Sequence, residues 1–344
     1  MATDSLFVCY CFLSVLYMLS LPHNCHSLTV DGGDSIALGA SLTGNQSIVS
    51  KNGTFELGFF CPNGTNNWYI GIWYAQITEK TIIWVANRET PIRNKPGVLK
   101  LSTDGYLKLY DSEGRSIWST RKKQKAIASR AIILDSGSFA MLGGHTISEI
   151  VWESFLYPTN TILSGMKVWK GIKLTSWRSS SDPAPGPFSF QMDPTPGKTD
   201  FLLLYNNNIS YLNSGEWVGN QFTNMPEMSN KDSSKILKTA FVKISPTRMY
   251  FTFDQISLFD SFTQRVVLDK SGDLAAYNRI SGSSWNLIWS IPRDLCLVYN
   301  LCGAYGACNS NNLQFCSCLE GFKPRDNRAC CMPGKLLLQS LRSH

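Results

Sequence analysis

Seven cysteines, Cys296, Cys302, Cys308, Cys316, Cys318, Cys330 and Cys331, crowd into 36 residues after a cysteine-free stretch of 234 residues. In an oxidising compartment such density marks a module held by disulfides rather than by a large core. A thiolate zinc site on Cys316, Cys318, Cys330 and Cys331 is the competing chemistry, but the spacing is poor for tetrahedral zinc. Histidine is scarce: His23, His26, His145 and His344 are the only four. Only His145 falls within the body of the chain. It follows Gly143-Gly144 and reads as a turn residue, since no nucleophile motif accompanies it. Histidine-ligated metal sites and Ser-His-Asp or Cys-His catalysis are nearly excluded. No strand–Gly-rich loop, HRD or DFG element exists to hold nucleotide or Mg²⁺. No metal and no cofactor is expected. The carboxylates offer no local pair resembling a glycosidase acid and nucleophile, although such pairs form in three dimensions.

The compartment follows from the N-terminus. Leu6 to Leu21 is a 16-residue apolar run, short for a membrane span, followed by the polar stretch Pro22 to Ser27. It reads as a secretory signal over residues 1–26, although Met1 to Ser5 carries Asp4 and no Lys or Arg. An uncleaved anchor is the alternative. Cys9, Cys11 and Cys25 leave with the signal, and Cys61 stands alone. Sequons at Asn45, Asn52, Asn63 and Asn208 then become glycosylation acceptors, three of them within 20 residues. The expected product is extracellular, with no stable membrane span once the signal is removed.

The 344 residues, 43% hydrophobic and 17% charged, suffice for two domains and an appendage. A net charge of +7 is too weak for a general nucleic-acid binder. The local basic run Arg121, Lys122, Lys123 and Lys125, with Arg115 and Arg130 nearby, reads as a solvated loop rather than a contact for acidic polysaccharide. Short apolar runs recur every 8 to 14 positions from Thr54 to Ser154: Thr54–Phe60, Trp68–Tyr74, Thr81–Ala86, Leu107–Tyr110, Ser116–Thr120, Ala131–Leu134 and Val151–Phe155. Asn-Gly, Asp-Gly, Glu-Gly and Ser-Gly pairs separate them, the pattern of an antiparallel barrel, prism or sandwich. Asp104-Gly105 and Ser136-Gly137 each precede a four-residue apolar strand, an internal repeat of 32 residues. Ser179 to Pro187 reads as a loop that cannot enter a ladder. Beyond it, Ala240, Val242 and Ile244, then Met249, Phe251 and Phe253, alternate as half-buried strands. The tryptophans, Trp73, Trp84, Trp118, Trp152 and Trp177 among them, sit in strand runs and read as core rather than as a sugar-stacking platform.

Trp84-Val85-Ala86-Asn87-Arg88-Glu89-Thr90-Pro91 resembles the WVANR-x-x-P signature of bulb-type lectin domains in plant S-domain receptor kinases. Further matches follow in order: Trp152-Glu153-Ser154-Phe155, Pro158-Thr159-Asn160-Thr161, Gly165-Met166-Lys167, Leu174-Thr175-Ser176-Trp177-Arg178, Ser214-Gly215-Glu216-Trp217, Pro226-Glu227-Met228, Cys302–Cys308 and Cys316–Phe322. The set covers about residues 28 to 326 and is similar to S-locus glycoproteins and G-type lectin S-receptor-like kinase ectodomains. The resemblance implies an all-β chain: a bulb-type lectin domain over 27–150, a second lectin-like domain over 151–290, both β-prisms, a partial EGF-like module over 292–330, and a divergent tail over 331–344. It implies the pairs Cys296–Cys308 and Cys302–Cys316, with Cys318 joined to Cys330 or Cys331. It does not extend to the PAN-type module, membrane helix or kinase of the full-length receptors.

The lectin sugar motif sets Gln, Asp, Asn, Val and Tyr at alternate positions of one strand, hence on one face. The matching positions are Ser102, Asp104, Tyr106, Lys108 and Tyr110, of which only Asp104 and Tyr110 fit. At the second repeat, Leu134, Ser136, Ser138, Ala140 and Leu142 keep none of it. The expected function is therefore that of a secreted, non-catalytic recognition protein binding a peptide, a glycan or a partner ectodomain. In relatives this serves pollen recognition or defence. A soluble competitor or co-receptor, dimerising with S-domain receptor kinases, is the mechanism this implies. A secreted carbohydrate-active enzyme and an inactive receptor remnant are the alternatives.

Overall fold

The computed structural model describes residues 33–120, 127–144, 149–225, 237–255, 262–280, 282–312, 314–324 and 331–333. The signal segment, the basic run Arg121–Lys125, His145, Cys330 and the tail beyond residue 333 lie outside them. Two 3₁₀ turns, Ser154–Leu156 and Leu295–Leu297, are the only helical elements itemised among strands.

Thirteen short strands build the first body: β1 (Ser35–Ala37), β2 (Ser41–Thr43), β3 (Ser47–Val49), β4 (Phe55–Phe60), β5 (Asn67–Tyr74), β6 (Ile82–Val85), β7 (Ile92–Arg93), β8 (Val98–Leu101), β9 (Leu107–Tyr110), β10 (Ser116–Ser119), β11 (Arg130–Ile133), β12 (Phe139–Leu142) and β13 (Ile150–Glu153). They form three antiparallel sheets, ordered β3-β4-β5-β6 with β7 beside β5, β10-β9-β8-β2, and β1-β11-β12-β13. The first three strands each close the edge of a different sheet, so the N-terminal segment ties the prism together. One face of every sheet feeds a single core that includes Leu57, Ile72, Leu99, Leu109, Phe139 and Met141. At its centre Trp84 (β6), Trp118 (β10) and Trp152 (β13), 34 residues apart in sequence, meet edge to face at 6.2–6.3 Å. One indole comes from each sheet, which is the spatial form of the internal repeat.

Because β13 pairs with β12, the first body runs to Glu153 and not only to residue 150. The second body contains β14 (Thr161–Leu163), β15 (Val168–Trp169), β16 (Lys173–Ser179), β17 (Asp182–Met192), β18 (Phe201–Tyr205), β19 (Ile209–Asn213), β20 (Leu237–Lys243), β21 (Met249–Gln255), β22 (Phe262–Leu268), β23 (Leu274–Ile280) and β24 (Asn286–Ile291). These again make three sheets, β14-β22-β23-β24, β15-β21-β20 and β16-β17-β18-β19, around one aromatic-rich core including Phe190, Phe201, Phe251 and Phe253.

The expectation that Ser179–Pro187 stays out of a ladder is wrong. Residues from Asp182 onward belong to β17, paired with β16 through Trp177↔Pro185 and Ser179↔Asp182. Two register shifts in that pairing absorb the prolines, which lack a donor but keep their carbonyls. The Pro187 carbonyl accepts from the Asn206 N–H.

Beyond Ile291 come β25 (Gly306–Cys308), β26 (Cys316–Cys318), β27 (Phe322–Pro324) and β28 (Cys331–Pro333), two hairpins. Cys296–Cys308 and Cys302–Cys316 are joined, and Cys318 is also disulfide-bonded. This region leans on the second body through Val298 and Leu301, and the Asn300 amide donates to the Tyr205 hydroxyl at 3.0 Å. The all-β architecture with a disulfide-rich end agrees with the sequence expectation.

Candidate functional site

A three-sheet prism offers three outer faces, and they differ in kind. On the β3–β6 sheet the outward residues are Glu56, Phe60, Tyr69, Trp73 and Val85, all buried. Gly71 lies under the Phe60 ring, whose carbon would sit 2.6 Å from any Cβ there. Trp177 of β16 packs on this cluster, so the second body covers the face. Glu56 accepts from the Trp73 indole at 2.9 Å, and the Lys80 ammonium stands 4.0 Å above the same ring. Burial pushes the Tyr69 hydroxyl up to about 12.

The face of the β1–β13 sheet is aliphatic. Ile132, Ala140 and Leu142 are buried together with Leu134 and Ile150 beside them. Ser138 is 1% exposed, its hydroxyl 3.4 Å from Glu153. Burial raises the Glu153 carboxyl above its ordinary value. The second repeat of the sugar motif therefore has no polar surface to offer.

Only the β2-β8-β9-β10 face is open. Leu101, Leu107 and Leu109 are 0% exposed on its core side, which leaves Ser102, Tyr106, Lys108 and Tyr110 half-exposed on the other. The predicted stripe is real as a surface. Its carboxylate is occupied, however: Asp104 Oδ2 accepts from Lys108 Nζ at 2.5 Å, and Oδ1 from the Tyr106 N–H at 3.3 Å. The Lys108 hydrogen bond holds the Asp104 carboxyl below its usual range, and Asp104 raises Lys108 in return. Both stay charged near neutrality. Asp104 and Tyr110 thus share a face, but the acceptor that would grip a neutral sugar hydroxyl is committed to a lysine.

The residues that carry the family resemblance serve a different purpose, which spacing alone did not reveal. Arg88, 9% exposed, donates from Nε to the Pro183 carbonyl (2.7 Å), from Nη1 to Thr175 (3.1 Å) and from Nη2 to Ser176 (2.8 Å). All three acceptors belong to the second body, on or beside the β16–β17 hairpin. Burial lowers the guanidinium to about 10, so it remains protonated. Asn87 holds it in place: its carbonyl accepts from the Ile70 N–H at 2.9 Å and its amide donates to the Thr90 carbonyl at 2.9 Å. The Trp84 indole donates to the Tyr157 carbonyl, and Thr159 to the Ile83 carbonyl. Nearby, Trp285 lies 5.3 Å from Tyr74 and carries the Arg265 guanidinium 4.2 Å above its ring. The signature is a clamp between the two bodies.

The remaining sequence-predicted residues are scattered. The acceptor asparagines Asn45, Asn52, Asn63 and Asn208 are all exposed. Cys61 is a free, half-buried thiol directed at the Thr65 carbonyl at 3.1 Å. Arg115 of the basic neighbourhood is bound to Asp111 and Glu113.

The D-mannose binding lectin family model matches residues 81–181, and the S-locus glycoprotein domain model matches residues 212–326. The S-locus-specific glycoprotein S6 of Brassica oleracea is 35% identical over 329 residues, which cover 92% of this chain and 72% of that protein. The chain belongs to the S-locus glycoprotein family. Within the wider group that resembles this family, the G-type lectin S-receptor-like serine/threonine-protein kinase At4g03230 of Arabidopsis thaliana is 35% identical over 91% of this chain. The chain spans little more than a third, 37%, of that kinase. Receptor-like serine/threonine-protein kinase SD1-8 gives 33% identity over 92% of this chain and 37% of its own length. Among solved structures, a Marasmius oreades lectin aligns over 38% of this chain and 95% of its own, with a TM-score of 0.29 at 15% identity. As an S-locus glycoprotein family member, the chain keeps the lectin scaffold and its interdomain clamp while the one open face departs from the mannose pattern. No helix among its described residues is long and apolar enough to cross a membrane.

Proposed function

We propose that this chain is a secreted, glycosylated, non-catalytic recognition module that engages a glycan, a peptide or a partner ectodomain at the cell surface. The observation that carries this reading is the uneven fate of the three prism faces. Two are closed, one by the second body and one by aliphatic side chains, and a single polar face is left to meet a ligand. Scarce histidine and a scaffold built on structural signature residues support recognition over hydrolysis. The exposed acceptors Asn45, Asn52, Asn63 and Asn208 support glycosylation. The identity shared with receptor-like kinases over this same stretch supports pairing with an S-domain receptor, whose surface would be built on the same two bodies. Co-expression of residues 27–344 with a full-length S-domain receptor of the same plant tests the reading. The expected result is secretion of a glycosylated product and its co-precipitation with the receptor. Retention inside the cell, or no co-precipitation with or without stimulus, contradicts it.

A further inference from the structure

We propose that the open face of the first body binds an acidic, carboxylate-bearing saccharide through Lys100 and Lys108, flanked by the rings of Tyr106 and Tyr110. This rests on the recognition reading above and names its ligand class.

The register supplies the geometry. Ser41 pairs with Lys100, Lys100 with Lys108, and Lys108 with Ser119, so one row crosses all four strands of the sheet. At about 4.8 Å per strand the row runs for about 14 Å, and cross-strand partners share a face. Ser41, Lys100 and Ser119 are exposed and Lys108 half-exposed. The row therefore presents hydroxyl, ammonium, ammonium, hydroxyl to solvent. Like charges directly opposite one another weaken a ladder, so pairing alone gives no reason for two lysines here. One carboxylate, Asp104, serves the pair, and it is bonded to Lys108. No ion pair to Lys100 occurs among the described residues. One positive charge stays uncompensated at the centre of the open face.

The flanking chemistry suits a sugar. Tyr106 and Tyr110 stand two residues either side of Lys108, about 7 Å away along the strand, and both phenols act on the Lys108 ammonium. An ammonium has three donors. Asp104 takes one and fixes the direction of the others, leaving two for ligand oxygens. Aromatic rings on both sides give a pyranose ring apolar surfaces to lie against, while Lys100 and Lys108 meet its carboxylates. A neutral mannoside gains little, because Ser102, Tyr106 and Lys108 stand where the motif has its Gln, Asn and Val.

The test uses the full secreted chain on immobilised de-esterified oligogalacturonate, its methyl ester, mannan and dextran sulfate. The expected result is binding to the de-esterified oligomer at least about tenfold tighter than to the methyl ester or mannan, weakened by salt and exceeding that to dextran sulfate at equal charge. Lys100→Glu and the pair Lys100→Glu with Lys108→Gln should each lose about tenfold or more with an unchanged unfolding midpoint. Lys122→Gln with Lys123→Gln and Lys125→Gln should retain binding. Equal affinity for the methyl ester or for dextran sulfate overturns the proposal, as does loss of binding only in the 122/123/125 variant. Absent saccharide binding alongside intact receptor co-precipitation sinks this proposal alone; absence of both sinks the recognition reading as well.

Discussion

Arg88 does more for this molecule than any residue of the sugar stripe. Its five donors form a planar fork, and three carbonyls of the neighbouring body are arranged to meet it. Lysine cannot reproduce the fork. Arg88→Lys and Arg88→Met should each destabilise the protein by about 3 kcal/mol or more, since buried carbonyls lose charged donors; urea unfolding measures it. Glu153 gives a pH-dependent counterpart. Burial raises its carboxyl, so its protonated form favours the fold at low pH and that contribution is lost as pH rises through the raised value. Glu153→Gln should therefore be more stable than wild type at pH 7 and level with it at about pH 3.5, read from unfolding midpoints at the two pH values. Equal shifts at both would show that ionisation is not the cause. At this scale the sequence was half legible. Alternation placed Asp104 and Tyr110 on one face, but nothing in a period of two says that Lys108 will reach back across a turn to occupy Asp104.

At the scale of elements, strand positions were legible wherever a turn pair bounded an apolar run. Leu107–Tyr110 emerged with its boundaries unchanged. The failure at β17 is instructive: the rule that proline leaves a ladder assumes the missing donor is needed, whereas a register-shifted edge of the pairing uses carbonyls instead. The tryptophans were rightly read as core, yet the sequence did not show that three of them, evenly spaced, converge on the prism axis. Trp152→Ala should cost about 3–5 kcal/mol, because its ring meets Trp84, Trp118, Phe139 and Tyr157. Gly137 turns the chain at φ +84°, with Leu163 Cδ1 2.6 Å from where a Cβ would be. Gly137→Ala should lower stability by about 1–3 kcal/mol, from overpacking together with the left-handed backbone. Thermal melts of the two variants check both figures; a wild-type midpoint in either would refute the packing that it probes.

Across the whole molecule, the two prisms share a junction made of Arg88, Trp84, Thr159 and the Trp285–Arg265 stack. Such a junction should make the pair unfold together, and Arg88→Met should split one calorimetric transition into two. The division of labour that follows is simple: signature residues fix the bodies relative to each other, and the single open face is free to vary. Its mannose chemistry is absent through three side chains on an otherwise retained scaffold, and retention on mannose resin tests this most directly. The wild-type chain should pass through unretained, while Ser102→Gln with Tyr106→Asn and Lys108→Val, which rebuilds the motif and releases Asp104, should be held and then eluted by free mannose. Specific retention of the wild type that disappears in Asp104→Ala would contradict it.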